Sequence, residues 1–230
     1  MRGVMRTLYH WPLDPASRQA RIALAEAKVK VGLELVDPWQ PDPKFAAAVS
    51  EGVPPALVEP TPDGGTAVVA GARAITEYAH DAAARVKLLP DTALARAETR
   101  RLCDWFDVKF AAEVESLILY EKVEKAMTRT GQPEAATLRA GRAALRAHLD
   151  YIEGLLERRD WLVGERFGLA DVAAGAHLSC LDFLGEIVWR ERRVLKSWYQ
   201  RFKSRPSVQP LLQDRVRGLY PPRYYSDIDF

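Results

Sequence analysis

The spacing of apolar residues changes once along this chain, near residue 90, and the two halves predict different architectures. In the first half, short apolar stretches alternate with turn residues. Thr7-Leu8-Tyr9 begins a strand that Pro12 and Asp14-Pro15 stop. Residues 17–28 carry Ile22, Ala23, Leu24 and Ala27 among good helix formers, with Asp14 or Ser17 available as N-cap. Residues 31–36 alternate as a strand again, ended by Asp37-Pro38. Strand, helix and strand within about 30 residues predict a βαβ unit, whose strands must run parallel because the crossover is long. Residues 38–52 are irregular and proline-bearing, with one helical turn expected at 45–49. Ala56-Leu57-Val58-Glu59 and Thr66-Ala67-Val68-Val69 then flank Pro60-Thr61-Pro62-Asp63-Gly64-Gly65, a hairpin with strong turn chemistry. A helix over residues 72–84 completes the half. The order βαβ then ββα is that of a thioredoxin-like domain, spanning residues 1–86.

Leu88-Leu89-Pro90-Asp91 interrupts the pattern and places a linker at residues 87–93. Beyond it there is no strand signal. Leu102, Phe106, Phe110, Val114 and Leu117 recur at spacings of three and four, as do Leu138, Leu145, Leu149, Ile152 and Leu156. Residues 172–181 are alanine-rich with no formal charge apart from a possible one on His177. A helix without a polar face belongs in the middle of a bundle, and His177 reads there as a packed core residue. Glu113 with Glu115, and Glu121 with Glu124, read as solvated helix faces. The fold class is therefore α/β followed by all-α, with a helical domain over 94–218 and a tail over 219–230.

Composition narrows the class without changing it. Hydrophobic residues at 48% and charged residues at 28% are ordinary for a globular chain. No apolar run reaches the ~20 residues a membrane span needs, and the basic start at residues 1–6 lacks the apolar region of a signal peptide. Cys103 and Cys180 lie far apart without a Cys-x-x-Cys partner, which argues against a disulfide framework or zinc site and fits a reducing cytosol. His10, His80, His148 and His177 share no ligand spacing, so no metal is expected. A net charge of +2 does not imply nucleic acid. There is no Gly-rich phosphate loop, and no cofactor is expected.

Several segments together resemble the cytosolic glutathione S-transferase family over nearly the whole chain. Pro15-Ala16-Ser17-Arg18 and Ala20-Arg21-Ile22-Ala23-Leu24 look like its first helix. Gly52-Val53-Pro54-Pro55-Ala56-Leu57 matches its G-x-V-P-x-L segment, which places the family's cis-proline at Pro55. Arg73-Ala74-Ile75 with Glu77-Tyr78 matches the end of E-S-R-A-I-x-E-Y, and Gly168-Leu169-Ala170-Asp171 looks like the capping motif before the buried helix of the second domain.

That resemblance implies a glutathione pocket, and the sequence departs from it at three places. Transfer chemistry uses the thiolate of glutathione, so family enzymes supply a Ser, Cys or Tyr hydrogen-bond donor. The Ser/Cys position here holds Asp14. An ionised carboxylate only accepts hydrogen bonds, and its charge raises a neighbouring thiol's pKa; Asp14 reads instead as a helix cap. Tyr9 lies one residue early for a tyrosine mechanism and, at a strand period of two, faces away from the cleft. Pro54 precedes the cis-proline, where the family pairs a backbone N–H with glutathione, and proline has none. Gly71-Ala72 replaces the Glu-Ser pair that holds the γ-glutamyl carboxylate, although the helix N-terminus still offers backbone N–H groups. Asp14, Pro54, Pro55, Gly71 and Ala72 thus outline a degenerate pocket, and no catalytic residue is expected.

Two C-terminal features are left over. Residues 190–205 hold Arg190, Arg192, Arg193, Lys196, Arg201, Lys203 and Arg205 against Glu191 alone, with Trp189, Trp198, Tyr199 and Phe202 as the core side. This run reads as a solvated face or as a surface for an acidic partner. Residues 219–230, Leu-Tyr-Pro-Pro-Arg-Tyr-Tyr-Ser-Asp-Ile-Asp-Phe, keep large apolar groups that need a surface to rest on, either their own domain or a partner. The expected partner residues are Arg192, Arg193, Lys196, Asp227, Ile228, Asp229 and Phe230. This ending, with Asp14 and the altered pocket, resembles the glutathione-transferase-like bacterial division proteins that bind the tubulin homologue FtsZ. The resemblance implies a non-enzymatic homodimer in the cytoplasm at the division site. It would bind and shape FtsZ filaments and couple them to cell-wall synthesis, with other division proteins as further candidate partners, and without nucleic acid or membrane insertion. A glutathione transferase with an atypical active site is the competing reading.

Overall fold

The computed structural model describes residues 6–40, 42–84 and 86–230, and the chain separates into two compact units, Met1–Leu88 and Leu89–Phe230. The expectation for the chain's first five residues lies outside the described residues.

The first unit runs β1 (Thr7–His10), α1 (Pro15–Glu26), β2 (Gly32–Leu35), α2 (Pro43–Ala48), β3 (Ala56–Pro60), β4 (Thr66–Ala70) and α3 (Ala72–Ala82). Its sheet has the order β2-β1-β3-β4. β1 is parallel to β2, with Leu8 opposite Leu33, and antiparallel to β3, with Leu8 opposite Leu57. The hairpin joins β3 to β4 in antiparallel register, with Gly64 at φ +85 where the turn needs a residue without a Cβ. Leu8, Ile22, Ala23, Leu57, Ile75 and Ala79 are fully buried, so α1 and α3 supply the apolar layer. α1 begins at Pro15 because Asp14 is extended and its Oδ2 accepts from the Ser17 N–H at 2.7 Å. Asp42 caps the short α2 in the same way, accepting from the N–H groups of Lys44 and Phe45. Phe45 then packs with Val36, Val49 and Ala56.

In the second unit, helix is continuous from residue 93 to residue 128. α4 (Ala93–Asp104) passes into a π-spaced stretch, Trp105–Glu115, then α5 (Ser116–Leu119), a second π-spaced stretch, Tyr120–Glu124, and α6 (Lys125–Thr128). The sequence pattern gives the reason. Leu102, Phe106, Phe110, Val114 and Ile118 are spaced by four and all essentially buried. An α-helix of 3.6 residues per turn would rotate each successive one by about 40° away from its predecessor. Widening the helix keeps all five on one face. Ile118, not the expected Leu117, therefore continues the stripe.

α7 (Ala135–Leu156) and α8 (Leu169–Phe183) follow, then α9 (Arg193–Lys203), with single 3-10 turns at Trp189–Glu191, Gln209–Gln213 and Arg223–Ser226. Every residue of α8 is buried, as the uncharged run at 172–181 predicts for its middle. Asp171 caps it, accepting from the backbone N–H groups of Gly168 and Leu162 and from the Trp198 indole at 2.9 Å. Burial nevertheless pushes its carboxyl up to about 6.

One acid of each expected solvated pair is buried instead, Glu115 and Glu121. Glu115 is buried and receives His177 Nδ1 at 2.8 Å, while Asp107 meets Nε2 at 3.1 Å. Burial alone would lower the imidazole's pKa, but the charge of Glu115 and the bonds to both carboxylates raise it to about 10. His177 is thus a core residue, as expected, but held as an ion pair. Glu121 is also buried, bound by Lys125 Nζ and by the Glu134 N–H, so it caps α7 from the preceding helix. Both acids lie on the π-spaced stretches of this helix.

Candidate functional site

Asp14, which the resemblance sets at the thiol-activating position, is bound into the first turn of α1. Its acceptor oxygen receives Ser17 N, and Ser17 Oγ in turn accepts from the Trp11 N–H at 3.1 Å. Arg18, fully buried one turn into the helix, donates from Nε to the Pro12 carbonyl at 2.7 Å. The strand-to-helix turn is therefore tied by local bonds. Tyr9 packs at a tilt on Phe45, with ring centroids 5.2 Å apart. Its phenol is pushed up by burial and by the charges of Glu34 and Asp42, the direction opposite to that of a group poised to share a proton with a thiol.

The Pro54–Pro55 peptide bond is cis, at the position the sequence motif assigns. Pro54 offers no N–H, and the Pro55 carbonyl accepts from the Gly71 N–H at 2.9 Å. Gly71 sits at φ +83, ψ 149, and Gly71 provides no side-chain cap to α3. A glutamate there would meet backbone strain that glycine does not. At these positions Asp14 and the Pro55 carbonyl are bound to local backbone, and Pro54 and Gly71 bring no side-chain donor.

The basic run is largely engaged within its own unit. Arg192 is held by Asp150 and reaches Glu153 at 3.5 Å, with a side chain only 13% exposed. Glu153 also accepts from the N–H groups of Val194 and Leu195, so this pair fixes the start of α9. Arg201 pairs with Asp160, and Arg205 lies over the Phe167 ring at 3.9 Å. Arg193 is exposed at the first position of α9. Arg192 therefore departs from a free partner contact.

The tail also folds back. Tyr225 is 1% exposed and meets Phe183 edge-on at 5.3 Å. The Phe230 ring stacks on Tyr224 at 5.6 Å and meets Trp189 at 5.4 Å. Lys203 Nζ lies 4.1 Å from the centre of that ring, and Lys196 Nζ lies 5.0 Å from it. Phe230 is thus not an anchor projecting towards a partner. Ile228 is half-buried, while Asp227 and Asp229 are exposed; the Asp229 N–H donates to Asp227 Oδ1 at 2.9 Å. Lys203 belongs by sequence to the basic run, yet it is fully buried and donates to the Asp227 carbonyl at 2.5 Å. Its position four residues after Tyr199, on the apolar side of α9, was the available signal.

The fold, the cis-proline and the capped core helix define a class. Residues 15–82 match the glutathione S-transferase N-terminal domain and residues 106–206 the C-terminal domain, so this chain belongs to the glutathione S-transferase family. Within it, the chain is 47% identical over 228 residues to FtsZ-localized protein A of Caulobacter vibrioides, covering 99% of this chain and 100% of that protein. The solved structure of FzlA from C. crescentus covers 99% of this chain and 100% of its own, with a TM-score of 0.95. A glutathione S-transferase from Rhodospirillum rubrum is 40% identical, covering 98% and 100%, with a TM-score of 0.91. Among the described residues, no helix is long and apolar enough to cross a membrane.

Proposed function

We propose that this chain is a non-enzymatic glutathione-transferase-like protein of bacterial cell division. It binds FtsZ filaments, shapes or bundles them and couples them to cell-wall synthesis during constriction. The observation that carries this reading is the full-length 47% identity to a protein named for its localisation to FtsZ. The pocket chemistry supports it independently, because Asp14 is an acceptor bound into its own helix turn and Pro54 lacks the donor that glutathione would use. In this reading the protein works in the cytoplasm at the division site as a homodimer, whose two FtsZ contacts couple neighbouring filaments through effective concentration.

The partner surface we assign combines the exposed carboxylates of Asp227 and Asp229 with half-buried Ile228 and, on α9, with Arg193 and Lys196. Arg192 and Phe230 contribute by holding α9 and the tail in place. Co-sedimentation with polymerised FtsZ tests the reading. The transferase reading keeps a specific support in the 40% identical enzyme from Rhodospirillum. Retention on glutathione-agarose with turnover of chlorodinitrobenzene separates the two.

A further inference from the structure

The recess that receives Phe230 has the composition of a ligand site. Trp189 and Tyr199 form one wall as a stacked pair, with centroids 4.5 Å apart and planes 13° from parallel. Lys203 forms the floor. An ammonium withdrawn from water needs compensation, and burial does lower the pKa of this one, with the charges of Asp182 and Asp227 opposing. Its hydrogen bond goes to the Asp227 carbonyl at 2.5 Å, and its nearest ring is Phe230 at 4.1 Å. Beside the charge of Asp182 on α8, the closest compensating groups, a carbonyl and a ring, come from the last four residues. Lys196 approaches the same ring from the rim. A ring between two ammonium groups, one of them desolvated, is a strong cation–π arrangement.

The tail is attached in two layers. Tyr225 is deeply buried against Phe183, whereas residues 227–230 cover the recess with Asp227 and Asp229 exposed and Phe230 only partly buried. The outer layer is thus less deeply buried than Tyr225.

We propose that this recess recognises a short acidic peptide segment carrying an aromatic side chain, and that residues 227–230 occupy it in cis as a removable plug. The bound tail supplies the ligand chemistry: an aromatic ring for Lys203 and Lys196, a main-chain carbonyl for the Lys203 ammonium, and carboxylates beside a basic helix. A segment of another polypeptide with those features competes for the same place. The cis copy wins at ordinary concentrations because its tether gives it an effective concentration in the millimolar range. The inference does not depend on FtsZ binding.

A fluorescent peptide with the sequence of residues 224–230 tests this directly. It is titrated into the intact chain, into a chain lacking residues 227–230, and into full-length Phe230→Ala, with the melting transition of each recorded. The two emptied variants are expected to bind the peptide about tenfold or more tightly than the intact chain. Lys203→Met added to the deletion should remove that gain, as should replacing the peptide's phenylalanine by alanine. Phe230→Ala keeps the test decisive should the deletion fail to fold. Equal or absent binding across the intact and folded emptied chains, or binding indifferent to the peptide's phenylalanine, would overturn the proposal.

Discussion

Gly175 lies in the middle of α8, where an ideal Cβ would come within 2.1 Å of the Phe202 ring of α9. The contact is rigid on both sides, since Phe202 stacks on Trp198 and Tyr199. Gly175→Ala should therefore cost about 1–3 kcal/mol or more despite alanine's better helix propensity. That corresponds to a melting temperature lower by roughly 2–4 °C per kcal/mol for a chain of this size; an unchanged melting curve would contradict the packing described. His177 provides a second residue-scale expectation. Its folded pKa is about 10, above the ordinary 6.5, so its stabilisation is complete below 6.5 and is lost as pH rises through about 10. The melting temperature of the wild-type chain should fall more between pH 7 and 10 than that of His177→Gln. Parallel curves would show that the imidazole is neutral in the fold. Neither residue could be assigned its role from sequence alone. The apolar surroundings of His177 predicted burial, but Glu115 and Asp107 come from another helix and have no mark in the local pattern.

At the scale of elements, what was legible followed from local rules. The proline-asparate punctuation before α1, the Gly64 turn and the uncharged run of α8 each specify their element through capping, backbone freedom or the lack of a polar face. What was not legible came from the long helix and the tail. Strict four-residue spacing hides a widened helix, because ordinary helical periodicity reads three and four as equivalent. The tail's apolar residues announced that they needed a surface without saying whose. Since Phe230 rests on α9, deleting residues 227–230 should cost stability, about 1–2 kcal/mol from cation–π and buried apolar contact. Asp227→Lys alters an exposed side chain that accepts from the Asp229 N–H and whose charge favours the Lys203 ammonium, and should cost no more than about 1 kcal/mol by thermal unfolding. Its loss of partner binding would then be attributable to the surface. The basic residues should separate likewise. Arg192→Ala removes the group paired with Asp150 and Glu153 and should destabilise by about 1 kcal/mol. Arg193→Glu should leave unfolding unchanged and weaken partner binding in a strongly salt-dependent way. If Arg192→Ala instead left the melting curve unchanged and only binding fell, that arginine would belong to the partner surface after all.

For the whole molecule, family membership sets the fold, and the pocket's missing groups set the expected lack of chemistry. Light scattering at micromolar concentration should give twice the mass of one chain; a monomeric mass would remove the bivalent route to filament bundling. Glutathione with chlorodinitrobenzene should show no turnover above background, and turnover abolished by Tyr9→Phe or Asp14→Ala would restore a catalytic pocket. The most direct measurement is co-sedimentation of the purified chain with polymerised FtsZ, run beside Asp227→Lys. The expected result is saturable pelleting that depends on polymer, with the folded Asp227→Lys chain left mostly in the supernatant. A wild-type chain that stays in the supernatant at every polymer concentration would contradict a role on the filament.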